Sequence, residues 1–316
     1  MCTAIQIDYD KGSVLGRTMD LEYAIDYQVS YYPRGYKLFK DLMGHPYENK
    51  YRLMGLSFGS KNPLKDGVNE HGLIGITNEY SLFNLYSKDL DLEKFNVSSM
   101  DFMNYALGNF RTVEELLADL DNINISLKNS LGLRVLSPGF HYYFVDSTKR
   151  GVVLEPKDGK LQAFENPYKV MTNSPGFLSQ EKKLRAYMNL DNLASFNGAK
   201  KLPGGYDPSS RFIRAFYLTR THVPARTNKE ALAYSYNILG AMALPKGLIK
   251  NRRNDEYTDT KYIAVYDSKE KLLTLKTDLN PQVFQVSLDE LIDQEDKLII
   301  PVSREFSAVS LRDLGE

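Results

Sequence analysis

From its third residue the chain alternates, Thr3-Ala4-Ile5-Gln6-Ile7-Asp8-Tyr9, with Ile5 and Ile7 on one face. That period-2 pattern predicts a strand with one face buried. The turn formers Asp10-Lys11-Gly12 follow, and Ser13 to Met19 is extended again, so the chain begins as a β-hairpin. Folding it about Asp10-Lys11 makes facing residue numbers sum to about 21, which sets Cys2 beside residues near Met19 and brings Arg17 and Asp20 to the same end. A thiol, a guanidinium and a carboxylate therefore meet.

Cys2 is the one cysteine among 316 residues. No intrachain disulfide forms, and a cysteine-rich metal site is excluded. Methionine aminopeptidases remove Met1 when the next side chain is small, as cysteine is. The mature chain then starts with a thiol and a free α-amine on one residue. Such an amine, with an ordinary pKa of about 7.7–8.0, suits a general base for the neighbouring nucleophile. An arginine nearby favours the thiolate, and a carboxylate can hold the amine. The bland alternative is a small buried hydrophobe beside a cross-strand ion pair worth under ~1 kcal/mol.

Further strands are expected at Tyr27 to Tyr32, Leu53 to Phe58 and Leu73 to Thr77, the last after the turn-rich Lys65-Asp66-Gly67. The period then changes. Ser98 with Asp101 and Thr112 with Glu115 resemble capping boxes, and Val113, Leu116, Leu117 and Leu120 predict a helix from Val113 to Asp121. Strands return at His141 to Asp146 and Gly151 to Glu155, around the turn Ser147-Thr148-Lys149-Arg150. Helices are expected at Gln180 to Asn189, at Arg211 to Arg220 and from Thr227, with Glu230 in the reciprocal capping position. The end reverts to strands, Tyr262 to Tyr266 and Leu272 to Thr277, flanking Asp267-Ser268-Lys269-Glu270. Blocks of strands and helices point to a layered antiparallel α+β fold rather than an alternating parallel sheet.

Forty basic side chains balance forty acidic ones. There is no basic field to attract nucleic acid or an anionic membrane. No apolar run reaches the roughly 18 residues of a membrane span, and no basic-then-apolar leader opens the chain, so a cytoplasmic protein is expected. Asp8 to Met19 faintly echoes a calcium loop, but Met19 cannot ligate at the twelfth position. Phosphate-cradling glycine patterns are missing, and His45, His71, His141 and His222 lack metal-ligand spacing and are expected to be structural. No metal or cofactor is expected. Lys246, Lys250, Arg252 and Arg253 suggest a solvated basic loop. The 22 tyrosines and 15 phenylalanines supply core and could line an apolar pocket.

Six separated segments together resemble the choloylglycine hydrolase family of bile salt hydrolases and penicillin V acylases. They are Met1-Cys2-Thr3, Gly16-Arg17-Thr18-Met19-Asp20, Pro33-Arg34-Gly35-Tyr36, Asp66-Gly67-Val68-Asn69-Glu70-His71-Gly72-Leu73, Asn166-Pro167 leading to Thr172-Asn173-Ser174-Pro175, and Ser210-Arg211-Phe212-Ile213-Arg214. The resemblance implies the N-terminal-nucleophile fold, a four-layer αββα sandwich of two antiparallel sheets, with residues 1–316 as a single amidohydrolase domain. It implies Cys2 as nucleophile, Arg17 and Asp20 as its polar neighbours, Asn173 as an oxyanion ligand and Arg211 completing the site. Met19 and Leu21 would line the acyl pocket. The family places a further oxyanion residue after Gly72-Leu73, asparagine in bile salt hydrolases and tyrosine in penicillin V acylases. Ungapped counting lands on Glu79, whose carboxylate would repel an oxyanion. A shift presenting Asn78 or Tyr80, or a backbone N–H serving alone, is therefore expected.

The resemblance also implies a homo-oligomer, although the stretch from Asn173 to Arg211 is short beside bile salt hydrolases that use it to assemble tetramers. The expected partner is a small-molecule amide with an apolar acyl group. A penicillin V acylase-like activity leads, with conjugated bile salts and acyl homoserine lactones as alternatives. A catalytically silent homologue that binds an apolar ligand is the reading from another class, and Glu79 or a retained Met1 would favour it.

Overall fold

The computed structural model describes residues 1–37, 40–59, 63–80, 86–190, 195–198, 201–221, 223–250 and 255–310. His222, Arg252 and Arg253 lie outside the described residues. The opening hairpin has the expected register: β1 (Cys2–Tyr9) pairs with β2 (Gly12–Leu21), Cys2 opposite Met19 and Ala4 opposite Arg17. This pair sits inside the first antiparallel sheet. Val170–Met171 flanks β1, while Tyr257–Asp267, Leu272–Thr277 and Val283–Ser287 follow outward from β2.

The second sheet takes β3 (Tyr27–Tyr32), β4 (Leu53–Phe58), β5 (Leu64–Asn69) and β6 (Ile74–Glu79) as successive neighbours. Phe140–Val145, Gly151–Lys157 and Lys160–Glu165 extend it beyond β6, and Leu298–Pro301 beyond β3. Helices α1 (Phe102–Asn109) and α2 (Val113–Ala118) cover the outer face of the second sheet. Helices α3 (Phe177–Leu190), α4 (Pro208–Thr221) and α5 (Asn228–Gly240) cover that of the first. The result is the α+β sandwich in four layers, αββα.

Three apolar clusters fill the three gaps between layers, and strand alternation sorts residues among them. Ile5, Ile7 and Tyr9 face α4 and α5, whereas Cys2, Ala4, Leu15 and Met19 face the other sheet. The hairpin is therefore buried on both faces rather than one, because the second sheet covers the side that the alternation had left to solvent. Buried polar groups of the hairpin find partners: the Thr3 amide donates to Thr18 Oγ1 at 3.1 Å, and Tyr143 donates to Gln6 Oε1 at 2.8 Å.

Two local expectations are corrected. The helix from Val113 stops at Ala118 and tightens into a 3₁₀ turn at Leu120–Asn122. Lys65-Asp66-Gly67 is not a turn but the middle of β5, buried throughout. Its pairing with β4 is very close: a Cβ on Gly55 would lie 2.0 Å from the Asp66 carbonyl oxygen, so only glycine fits there. At Thr227 the full reciprocal cap with Glu230 forms. No helix among the described residues is long and apolar enough to cross a membrane.

Candidate active site

The end of the hairpin that carries Cys2 faces the gap between the sheets. Arg17, two positions from Met19 on the same face of β2, reaches back so that its Nη2 donates to Cys2 Sγ at 3.0 Å and lies 3.4 Å from Met19 Sδ. Its Nη1 bridges to the opposite sheet, pairing with Asp66 Oδ2 at 3.3 Å. Both side chains are fully buried. Tyr262 donates to Asp66 at 2.9 Å and Tyr266 donates to its other oxygen. Burial alone would lower the Arg17 pKa, but Cys2, Tyr262 and Asp66 around it carry the net shift upward, so the guanidinium stays charged.

Val170–Met171 pairs with β1, Met171 opposite Ala4, and the chain continues along it until Asn173 stands beside Cys2. Asn173 Oδ1 accepts from the Cys2 nitrogen at 2.6 Å and from Arg211 Nη2 at 2.9 Å. Its Nδ2 donates to the Glu79 carbonyl at 3.1 Å, which leaves one of its two N–H bonds uncommitted. Met1 is still attached, so the Cys2 nitrogen is an amide; it stands where the α-amine of a processed chain would be.

Arg211 was expected at a helix start, where an exposed position is ordinary. It is instead inside the first turn of α4 and fully buried. Its Nη1 donates to the Cys2 carbonyl at 2.6 Å and to Thr3 Oγ1 at 2.7 Å, tying α4 to the chain terminus. Burial lowers its pKa, opposed by the charges of Asp20, Cys2 and Asp207. The Asp20 carboxylate does not touch the terminal amine. It accepts from Thr260 at 2.6 Å and Thr18 at 3.2 Å, while the Asp20 backbone carbonyl accepts from the Met1 amine at 3.0 Å. Burial raises its pKa, against the charges of that amine and Arg211.

A cavity of about 460 Å³ opens at Cys2. Met19, Leu21, Phe58, Met100, Leu136 and Phe140 give it an apolar wall; Arg17, Asp20, Glu22, Tyr23, Lys65, Thr77 and Glu79 are its polar points. The expected shift near Glu79 is not present. Strand alternation in β6 turns Thr77 and Glu79 to the cavity and Asn78 away from it. Asn78 is buried and donates to the carbonyls of Met171 and Thr172 at 3.3 and 3.0 Å, holding the segment that carries Asn173. Tyr80 stacks on His141, centroids 5.0 Å apart, outside this cavity. His141 lies 2.7 Å from the Thr172 carbonyl and 3.1 Å from Glu155, a structural position. His45 and His71 are exposed.

Lys65, which lines the cavity, and Asp66, which pairs with Arg17 beside it, are among the site residues that the sequence reading did not single out. The signal was available: Leu64, Asp66 and Val68 alternate, and Asp66 opens one of the six resemblance segments.

A sandwich of two antiparallel sheets between helical layers, with a near-terminal cysteine at an interlayer cavity, is the architecture of N-terminal-nucleophile hydrolases. The chain belongs to the choloylglycine hydrolase family of linear amide C–N hydrolases, whose sequence profile matches residues 2–300. It is 27% identical over 310 residues to a bile salt hydrolase/transferase of Clostridium perfringens, covering 92% of this chain and 93% of that protein. It is 26% identical over 242 residues to a penicillin V acylase of Pectobacterium atrosepticum, covering 72% and 62% respectively. The structure of a mutant conjugated bile acid hydrolase from Clostridium perfringens matches with a TM-score of 0.85 at 23% identity, covering 98% of this chain and all of that one.

Proposed function

We propose that this amide hydrolase works through Cys2 after loss of Met1, on amides whose acyl part is compact and apolar, as in a penicillin V acylase. The observation that carries the proposal is the Arg17–Cys2 contact of 3.0 Å at the mouth of a cavity walled by Phe58, Phe140, Met100 and Leu136. With Met1 gone, the Cys2 nitrogen becomes the α-amine and Asn173 Oδ1 orients it. The sulfur attacks the amide carbon, and the carbonyl oxygen takes negative charge against the spare N–H of Asn173. The α-amine passes the thiol proton to the departing amine, leaving a thioester. Water, deprotonated by the same α-amine, then attacks the thioester, releasing the acid and restoring the thiol.

Glycine- and taurine-conjugated bile salts are the second reading, supported by the activity named for the Clostridium perfringens relative. The test is parallel hydrolysis of penicillin V, both conjugates and a long-chain acyl homoserine lactone, together with intact mass. Loss of one methionine and turnover of penicillin V above the others are expected. A purified protein that keeps Met1 and still hydrolyses any of them overturns the mechanism. Cys2→Ser should keep the fold and lose most turnover, about 100-fold or more, because an alcohol ionises far less readily than a thiol; an unchanged kcat would refute the nucleophile.

A further inference from the structure

Among the described residues, Arg17 and Lys65 are the basic groups that line the cavity, and of the two Lys65 lies against its apolar wall. It sits where the register between β4 and β5 slips: Leu56 faces Asp66 and Ser57 faces Leu64, leaving Lys65 as the extra residue of a β-bulge. Bulges re-aim side chains and recur beside active sites. The Thr77 hydroxyl fixes this one by donating to the Lys65 carbonyl at 2.8 Å, and the Leu64 amide donates to Asn104 Oδ1 at 2.7 Å. The ammonium ends 3.3 Å from Met100 Sδ and between the rings of Phe58 and Phe140, 5.6 and 5.7 Å from their centroids.

Only 6% of Lys65 is exposed, and no carboxylate among the described residues forms an ion pair with it. Burying an ammonium among two aromatic rings and a thioether is costly unless a counter-charge arrives. Nearby Asp66 is already committed to Arg17, Tyr262 and Tyr266, and Asp101 to Ser98. Building on the acyl-pocket reading above, we propose that Lys65 is a specificity residue that binds a carboxylate, or a comparable anionic group, at the far end of the substrate's acyl chain. Between apolar acyl chains of equal length, the monoamide of a dicarboxylic acid is then preferred over the plain acyl amide. The anion is placed on the acyl side because the rings around the ammonium, Phe58 and Phe140, belong to the apolar wall of the cavity.

Burial pushes the Lys65 pKa down to about 8, with Asp101 and Asp66 opposing and Arg17 adding to the shift. The ammonium therefore persists at neutral pH and is lost just above it, giving a readout that needs no variant. Three amides test the proposal: hexanoyl-p-nitroanilide, its 5-carboxypentanoyl counterpart, and 4-hexanamidobenzoate, which carries the anion on the amine side. The native enzyme should favour the carboxyacyl anilide over the plain one by about 10- to 100-fold in kcat/KM. That ratio should fall as pH rises through 8, since titration of the α-amine affects both anilides alike and cancels. Lys65→Met, an apolar chain of matching length, should collapse the ratio.

A ratio near one in the native enzyme, a ratio indifferent to Lys65→Met and to pH, or a preference for the benzoate lost in the variant would each overturn the proposal. If neither anilide is hydrolysed, the acyl-pocket reading fails as well, and binding still decides on Lys65. Calorimetry should show adipate bound about tenfold or more tighter than hexanoate to the native protein, with the difference gone in Lys65→Met. Equal affinities refute the site.

Discussion

A single hydrogen bond, Cys2 nitrogen to Asn173 Oδ1 at 2.6 Å, makes the chain terminus a candidate for proton transfer rather than a frayed end. Its acceptor is a neutral amide oxygen that also takes a bond from Arg211. Neutrality matters, because a base that must work near pH 7 cannot be held too firmly as an ammonium. Asn173→Asp tests this at nearly constant shape. A carboxylate within hydrogen-bond reach favours the charged amine, so the amine pKa rises, by about a unit or more. The acid limb of kcat/KM against pH should move upward by that amount, and activity at pH 7 should fall while activity near pH 9 recovers in part. A limb that stays in place would mean that the Cys2 nitrogen is not the base. The variant also loses an N–H donor, so a loss at every pH of about 10² to 10³ in kcat would add to the shift without replacing it.

At the scale of elements, the loop after β5 ties the segments that follow β3 and precede β4 in the second sheet together through Glu70. Its carboxylate accepts from Arg34 Nε and Nη2 at 2.8 and 2.9 Å, and from the Arg52 amide and Nε, both at 2.9 Å. Burial pushes this carboxyl up, but the Arg34 and Arg52 bonds outweigh it and the net pKa falls below the ordinary 4.5. A depressed acid stabilises the fold fully above its ordinary pKa, and that contribution is lost as pH drops through the folded value. Urea titrations of Glu70→Gln should show roughly 1–2 kcal/mol less stability at pH 7 and a flatter decline below pH 4.5 than the native chain. Parallel acid limbs would refute the assignment. The same region marks where sequence legibility stops. The hairpin was legible because its register follows from one turn and local alternation. β5 was not, because Lys65, Asp66 and Gly67 are turn formers until a guanidinium and two tyrosines from another sheet neutralise the carboxylate. Asn173 and Arg211, 171 and 209 residues from Cys2, came into view only through resemblance; no periodicity carries information over that span. The helix boundaries near Ala118 and Pro208 shifted because capping and packing, not apolar spacing, decide where a helix ends.

For the whole molecule, the group that couples the two sheets also sets the nucleophile's field. Asp66, from the second sheet, receives Arg17, Tyr262 and Tyr266 from the first, all nearly inaccessible to water. Burying these charges costs several kcal/mol per ion, and their mutual attraction offsets that cost only while every member is present. Asp66→Asn keeps the shape and the capacity to accept from one tyrosine but strands the Arg17 charge between the sheets. The expected loss is about 3–5 kcal/mol in urea unfolding, large against the 5–15 kcal/mol that holds a typical domain. Arg17 would then turn more fully toward the Cys2 sulfur, which its Nη2 already meets at 3.0 Å. Alkylation of Cys2 by iodoacetamide, followed by mass, should therefore change in rate even under conditions where Asp66→Asn stays folded. Loss of stability with an unchanged alkylation rate would show that the pair only fastens the sheets. An altered rate at full stability would show that it only tunes the sulfur. Both effects are expected together, because one guanidinium makes both contacts and cannot release one without altering the other.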